Sequence, residues 1–205
     1  MLEIKNKNIL AIGPHPDDLE LGCFGTLFKL KSLGNKIFII ILTQGENKGV
    51  SDIRIEEAKK SANLLGADII IGAFKDGELT HNLDTISFVE QYIDKIKPDL
   101  VFIPEEEDSH QDHKNCYNIC LSAARKKYNL ICYECVTTLN FKPNLYIDIT
   151  NSFNNKIEAL SFHKSQIQNL EGVKFALAGS YLANGFKLDK PGKYFELFNV
   201  RKLII

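Results

Sequence analysis

Two short polar clusters carry the residue types from which a hydrolytic metal site is built. "PHPDDLE" supplies His15, Asp17, Asp18 and Glu20, and "HQDH" supplies His110, Asp112 and His113. Imidazole nitrogens and carboxylate oxygens are donors that zinc and its first-row neighbours accept, and three protein ligands leave a position open for water. His15 and Asp18 lie three residues apart around a turn that Pro16 stiffens, so both side chains can face one point, with His113 as the third ligand. Zn2+ is the expected cofactor, and Fe2+ suits the same donors. Asp17, beside a ligand but not coordinating, can take a proton from water activated by the metal. His110 can present its imidazole to the oxyanion that forms, with Asp112 orienting or charging that ring.

Each cluster also has a plainer reading. Asp17 or Asp18 alone would serve as a helix N-cap or first-turn acid, and a lone His-x-Asp-His is often a solvated turn. What weighs against both is where the clusters fall in the expected elements. Strands are expected at Asn8–Gly13, Lys36–Thr43, Asp68–Phe74, Asp99–Pro104 and Asn129–Val136, alternating with helices at Asp18–Leu33, Ser51–Leu65, Asp84–Ile96 and His113–Lys127. The run Ile37–Leu42 shows no polar alternation, which suits a parallel strand buried on both faces. Ser51 is an N-cap candidate without a full capping box, and Gly34 and Gly66 are helix stops. The alternation predicts an α/β, Rossmann-like three-layer fold with a mostly parallel sheet. "PHPDD" then follows the first strand and "EEEDSHQDH" the fourth, and ligands of such folds sit at the carboxyl ends of the strands.

After Val136 the regularity loosens. A loop and strand are expected in "LNFKPNLYIDIT", a helix from a Thr150 cap through His163, then a Gly-rich stretch and a β-like "YFELFNVRKLII". One domain, residues 1–205, with an irregular carboxyl-terminal portion is the economical organisation. A formal net charge of -1 over 205 residues gives no global field for nucleic acid or anionic membrane. The amino-terminal residues carry charge where a signal peptide needs an apolar core, and no segment reaches the length of a membrane span. Five cysteines suggest reduced, buried thiols and a cytoplasmic location; Cys132 and Cys135 form a lone CxxC in strand-forming surroundings, without a second pair to complete a zinc site.

With these residues in view, the chain resembles the LmbE-like (PIG-L) zinc-dependent N-deacetylases, which remove acetyl groups from N-acetylglucosamine-type sugars and conjugates. "PHPDDLE" and "HQDH" match the two signature motifs, and "TQGE", "RIEEAKKSANLLGA", "DGEL", "HKSQ" and "YFELF" fall where the family has comparable segments. The resemblance implies zinc held by His15, Asp18 and His113, Asp17 as general base, and His110 at the carbonyl or oxyanion with Asp112 tuning it. It further implies that Glu46 and Arg54 bind sugar hydroxyls, and that Glu20 lies behind the ligands. The implied partner is a small N-acetylated sugar or conjugate, with a homo-oligomer left open.

The remaining polar residues have blander expectations. His81 reads as a solvated loop residue, His163 equally as structural or functional, and the acidic run Glu105–Asp108 as a solvated loop, the alternative being a place behind the ligands or at the entrance to the site. The rival activities are a metal-dependent phosphoesterase, for which a second set of bridging carboxylates is lacking, and a non-catalytic sugar- or metal-binding module. A dinucleotide oxidoreductase is weaker, because "IGPHPDDLELG" lacks the required glycines.

Overall fold

The computed structural model describes residues 4–125 and 128–203. Its sheet has the strand order β3-β2-β1-β4-β5-β7-β6. The first five strands, β1 (Asn8–Gly13), β2 (Lys36–Thr43), β3 (Asp68–Phe74), β4 (Leu100–Pro104) and β5 (Asn129–Tyr133), run parallel, whereas β6 (Leu145–Asp148) and β7 (Phe195–Lys202) add an antiparallel edge. This is the α/β, Rossmann-like three-layer arrangement with a mostly parallel sheet that the sequence pattern implies.

Alternation along the central strands divides the core between the two faces. Ile9, Ala11, Ile39, Ile41 and Phe102 pack against α2 (Phe24–Ser32) and α3 (Ser51–Leu65), while Leu10, Ile12, Ile40, Leu42, Val101 and Ile103 pack against α4 (Leu83–Ile96) and α5 (Gln111–Ala123). Burying each of the isoleucine, leucine, valine and phenylalanine side chains contributes about 1.5–3 kcal/mol. All five cysteines are buried free thiols. No helix among the described residues is long and apolar enough to cross a membrane.

Several boundaries differ from the sequence expectation, each for a physical reason. The helix expected over Asp18–Leu33 is two helices, α1 (Asp18–Gly22) and α2, separated at Cys23, whose φ of -140° is not helical. A Cβ at Gly22 would come within 2.3 Å of the Tyr133 ring, so this close approach requires glycine. The break orphans amides at the start of α2 and carbonyls at the end of α1. Glu196 of β7 accepts from Gly25 N at 3.1 Å and Thr26 N at 2.7 Å, while Lys156 donates to Leu21 O at 2.7 Å. The two side chains also pair at 2.5 Å in full burial.

Ser51 is not the N-cap of α3: Val50 is, without a side-chain hydrogen bond. Asn82 starts α4 with a capping box to Thr85, which moves that helix to Leu83. His110 caps α5, so this helix starts at Gln111 rather than His113, and it closes at Ala123; the expected end at Lys127 lies outside the described residues. Strand β4 begins at Leu100 rather than Asp99, and β5 stops at Tyr133 because Cys135 turns back onto Thr138. The Thr150 hydroxyl bonds Asp148 at 2.5 Å rather than capping a helix through His163, and α6 spans only Phe153–Leu160.

The Gly-rich stretch contains a long helix, α7 (Leu170–Lys187), started by the Asn169 side chain accepting from Gly172 N. Gly185 admits close backbone contact, since a Cβ there would lie 2.4 Å from Lys193 O. β7 covers Phe195–Lys202 of the expected final strand, whose last two residues lie outside the described residues.

Glu196→Ala should destabilise the chain by about 3–5 kcal/mol, because a buried Lys156 loses its counter-charge and two amides lose their acceptor. Denaturant midpoints measure this, and a loss below about 1 kcal/mol would show that the pair does not hold the α1–α2 junction.

Candidate metal centre at the β1–β4 crevice

Strand β1 is flanked by β2 on one side and β4 on the other, so the chain reverses its winding direction at β1 and β4. Crevices form at such points beyond the carboxyl ends of the strands. The loop after β1 carries His15 and Asp17, with Asp18 opening α1, and the loop after β4 carries His110, with Asp112 and His113 in the first turn of α5, into the same crevice. Ligand atoms of His15, Asp18 and His113 all lie within 4.8 Å of one another, and all three residues are buried.

The loop after β1 is held rigidly. Thr43, at the end of β2, donates to Pro14 O from both its amide and its hydroxyl, each at 2.9 Å. Arg54 of α3, buried to 3% exposure, donates to Pro16 O at 2.7 Å and Gly45 O at 2.8 Å, and lies 3.3 Å from Asp17 Oδ1. Asp17 has a φ of 107°, in the left-handed region that a side chain rarely adopts. Such strain costs about 1–3 kcal/mol and survives only where surrounding contacts enforce it.

Asp18 Oδ2 accepts from His15 N at 3.0 Å and lies 3.0 Å from His15 Nδ1, while its Oδ1 is 3.4 Å from His113 Nε2. The far nitrogens of both rings face carboxylates. His15 Nε2 is 3.1 Å from both Asp76 Oδ1 and Asp112 Oδ2, and His113 Nδ1 is 3.1 Å from Asp108 Oδ2. Burial works against the charged form of His15, yet Asp112 and Asp18 push its pKa up to about 10. His113 is raised in the same way, burial being outweighed by Asp18 and Asp108. Burial disfavours the Asp18 carboxylate, but His113 and His15 hold it far below the usual range.

Asp17 behaves in the opposite way. Burial first, then the Asp18 charge, push its pKa up to about 7 against the pull of Arg54 and His163. His110 is lowered by burial and by the neighbouring His113 and His15. Its ring stacks on His113 with centroids 4.7 Å apart, and its Nδ1 accepts from Asp112 N at 3.2 Å. With Nδ1 accepting, the neutral ring carries its proton on Nε2 and donates from there.

The expected site residues take up distinct positions. The Asp112 carboxylate turns to His15 and to the Gly77 and Leu79 amides, at 2.7 and 3.2 Å, and meets His110 through its backbone N–H. Glu46 Oε1 accepts from Asp76 N at 2.9 Å, and its Oε2 is buried without a hydrogen-bond partner among the described residues. Arg54 spends its terminal nitrogens on the two carbonyls and Asp17. Glu20 lies 3.1 Å from the fully buried His163, an ionic contact without hydrogen-bond alignment, and His163 acts on Asp17 through its charge. His81 lies on the surface with its Nε2 2.8 Å from Ser122 Oγ.

The acidic run is not a uniformly solvated loop: Glu105 and Asp108 are buried, Glu105 pairing with Arg201 at 2.6 Å. Asp76 joins the site without being singled out by motif or spacing, whereas Asp108 belongs to the acidic run whose alternative reading is a place behind the ligands. Weak signals exist for both, since Asp76 follows a strand end and Asp108 lies two residues before His110. Cys132 is in β5 as expected, but Cys135 lies beyond the strand end, beside Asp108 and His113.

The residues fit a divalent cation. Two imidazoles with ring centroids 5.4 Å apart are both drawn toward the cationic form by surrounding carboxylates, and one dication satisfies that demand without the repulsion of two protonated rings.

Comparison with known proteins agrees with this architecture. The family model for PIG-L, GlcNAc-PI de-N-acetylase, matches residues 10–124, more than half of the chain. The uncharacterized deacetylase YaiS of Escherichia coli (strain K12) is 36% identical over 172 residues, covering 78% of this chain and 92% of that protein. The diacetylchitobiose deacetylase of Thermococcus kodakarensis is 29% identical over 188 residues, covering 78% of this chain and 70% of that protein. The crystal structure of a conserved protein from Thermus thermophilus superposes with a TM-score of 0.85 at 28% identity, covering 97% of this chain and 96% of that one. The chain belongs to the PIG-L (LmbE-like) de-N-acetylase family.

Arg54→Leu should lower stability by about 1–3 kcal/mol for each buried carbonyl left without a donor. Chemical unfolding checks this, and an unchanged midpoint would show that water replaces the guanidinium without cost.

Proposed function

We propose that this chain is a metal-dependent hydrolase that removes the N-acetyl group from a small N-acetylglucosamine-type sugar or sugar conjugate, releasing acetate and a free amine. The carrying observation is the convergence of His15, Asp18 and His113 donor atoms within 4.8 Å. Asp17 and His110 flank them with opposite protonation tendencies. Family membership and relatives named as deacetylases support the same reading.

His15, Asp18 and His113 would hold Zn2+, or Fe2+, which suits the same donors. The chemistry such an ion supplies is Lewis acidity, which brings the pKa of water down toward about 7 and polarises a carbonyl.

The protein residues then divide the proton traffic. Asp17, with Oδ1 held near Arg54, accepts the proton of the attacking water on its carboxylate. A pKa near 7 suits a group that must take up a proton and give it back, so the protonated Asp17 returns it to the departing amine. His110 donates from Nε2–H to the oxygen on which negative charge develops. Asp112 and Asp76 hold the far nitrogen of His15, keeping its Nδ1 turned to Asp18. Glu46 and Arg54, which the family resemblance associates with sugar hydroxyls, here brace the loops around the crevice. Glu46 Oε2 and Arg54 Nε are the buried atoms of the two side chains left without a hydrogen-bond partner among the described residues, and a sugar hydroxyl that reached them would satisfy both.

Purified protein given N-acetylglucosamine, N,N'-diacetylchitobiose and related conjugates should release acetate and free amine in equal amounts, and a chelator should stop the release. Absence of amine from the whole panel, with zinc bound, would remove the deacetylase reading. Asp17→Asn should cut kcat by at least about 100-fold with zinc content unchanged. Full activity in that variant rules Asp17 out as the base. His113→Ala should lose most of about one zinc per chain, measured by elemental analysis, and undiminished content would exclude His113 as a ligand.

A further inference from the structure

Behind His113, on the side away from Asp18, a second carboxylate is fixed by donors from two loops. Asp108 is 2% exposed. Its Oδ1 accepts from His110 N at 2.8 Å, and its Oδ2 accepts from Thr138 Oγ1 at 3.1 Å while lying 3.1 Å from His113 Nδ1. The loops themselves are joined here, through an Asp108–Thr138 bridge and Ser109 N donating to Thr137 O at 3.0 Å. The carboxylate therefore has no freedom to turn from the ring.

We propose that Asp108 is a positioning residue whose Oδ2 holds His113 in the Nδ1–H tautomer, leaving the Nε2 lone pair directed to the metal position, while its Oδ1 fixes the backbone of the second histidine at His110 N. This deepens the metal-centre reading and rests on it. An ionised carboxylate offers only acceptors, so the nitrogen facing it must carry the proton. The other tautomer would set a lone pair against a carboxylate inside the protein, a repulsion between two acceptors that the Nδ1–H form removes. Thr137 Oγ1, 3.2 Å from the same Nδ1, cannot make this choice because a hydroxyl both donates and accepts. Partners of this kind orient ligand histidines and strengthen metal binding.

The same cluster admits a competing arrangement, since Asp108, His113 and Cys135 place ligand atoms within 4.8 Å of one another. Both Asp108 oxygens are already occupied by N–H and O–H donors, which favours positioning over ligation.

The test uses the full-length chain with Asp108→Ala and, as a second route to a folded variant, Asp108→Ser. Long-range proton–nitrogen spectra of the metal-free protein, at a pH alkaline enough to make the ring neutral, report the His113 tautomer. Competition with a chromophoric chelator reports Zn2+ affinity. The wild type should show the Nδ1–H form alone. The variants should show a tautomer mixture and bind Zn2+ about 10- to 100-fold more weakly. Asp108→Asn, whose amide oxygen can still accept, should fall between. A folded Ala or Ser variant with unchanged tautomer and affinity overturns the proposal. So does a second zinc per chain in the wild type that disappears in Cys135→Ser. Should the wild type take up no Zn2+, the metal reading fails, while the metal-free tautomer still decides the role of Asp108.

Discussion

The buried guanidinium of Arg54 is the contact on which the crevice depends. It joins the loop after β1 to the loop after β2 through two carbonyls and faces the Asp17 carboxylate. That anchor holds Asp17 at a positive φ, and relaxation of this one residue would swing the chain that carries His15 and Asp18. A lysine could supply the charge but not two directed donors to separate acceptors plus a contact to a third. The local strain at Asp17 and the desolvated arginine are thus parts of one arrangement, each meaningful only with the other.

The antiparallel edge contributes at a distance. Glu196 of β7 and Lys156 of α6 satisfy the amides and carbonyl exposed where α1 gives way to α2. Because α1 begins at Asp18, this junction lies only one short helix away from a proposed ligand. At the end of α1 a side chain on residue 22 would meet the Tyr133 ring, whose hydroxyl is itself bonded to Ile12 O at 2.9 Å, so glycine stands there. Carboxyl-terminal residues therefore set the direction in which the first loop enters its helix.

What could be read from sequence follows the range of the interactions. The apolar run of β2 and the polar clusters after β1 and β4 are local patterns, and hydrophobic periodicity places them well. Helix α7 was hidden because Gly172, Gly179 and Gly185 lower local helix preference, and a close backbone approach at Gly185 decides the matter instead. The burial of Asp108 within an acidic run was equally hidden, since one of its donors, Thr138, comes from a loop thirty residues further along the chain. Arg54 could be matched to a family position by its place in the chain, but the two carbonyls that absorb its donors, Gly45 and Pro16, are visible only after folding.

The charge inventory of the crevice explains why two adjacent aspartates can differ so sharply. Asp18 faces two imidazoles and ionises readily, whereas Asp17 faces the buried interior and Asp18, with Arg54 and the more weakly acting His163 to offset them. Moving either carboxylate to the other's position would lose the distinction, because the difference resides in the surroundings and not in the side chain. The peptide geometry enforces that separation: with Asp17 in the left-handed region, consecutive side chains point to different neighbours, one toward the histidines and one toward Arg54. A single strained residue thereby yields a strong acid and a near-neutral base from the same residue type in adjacent positions.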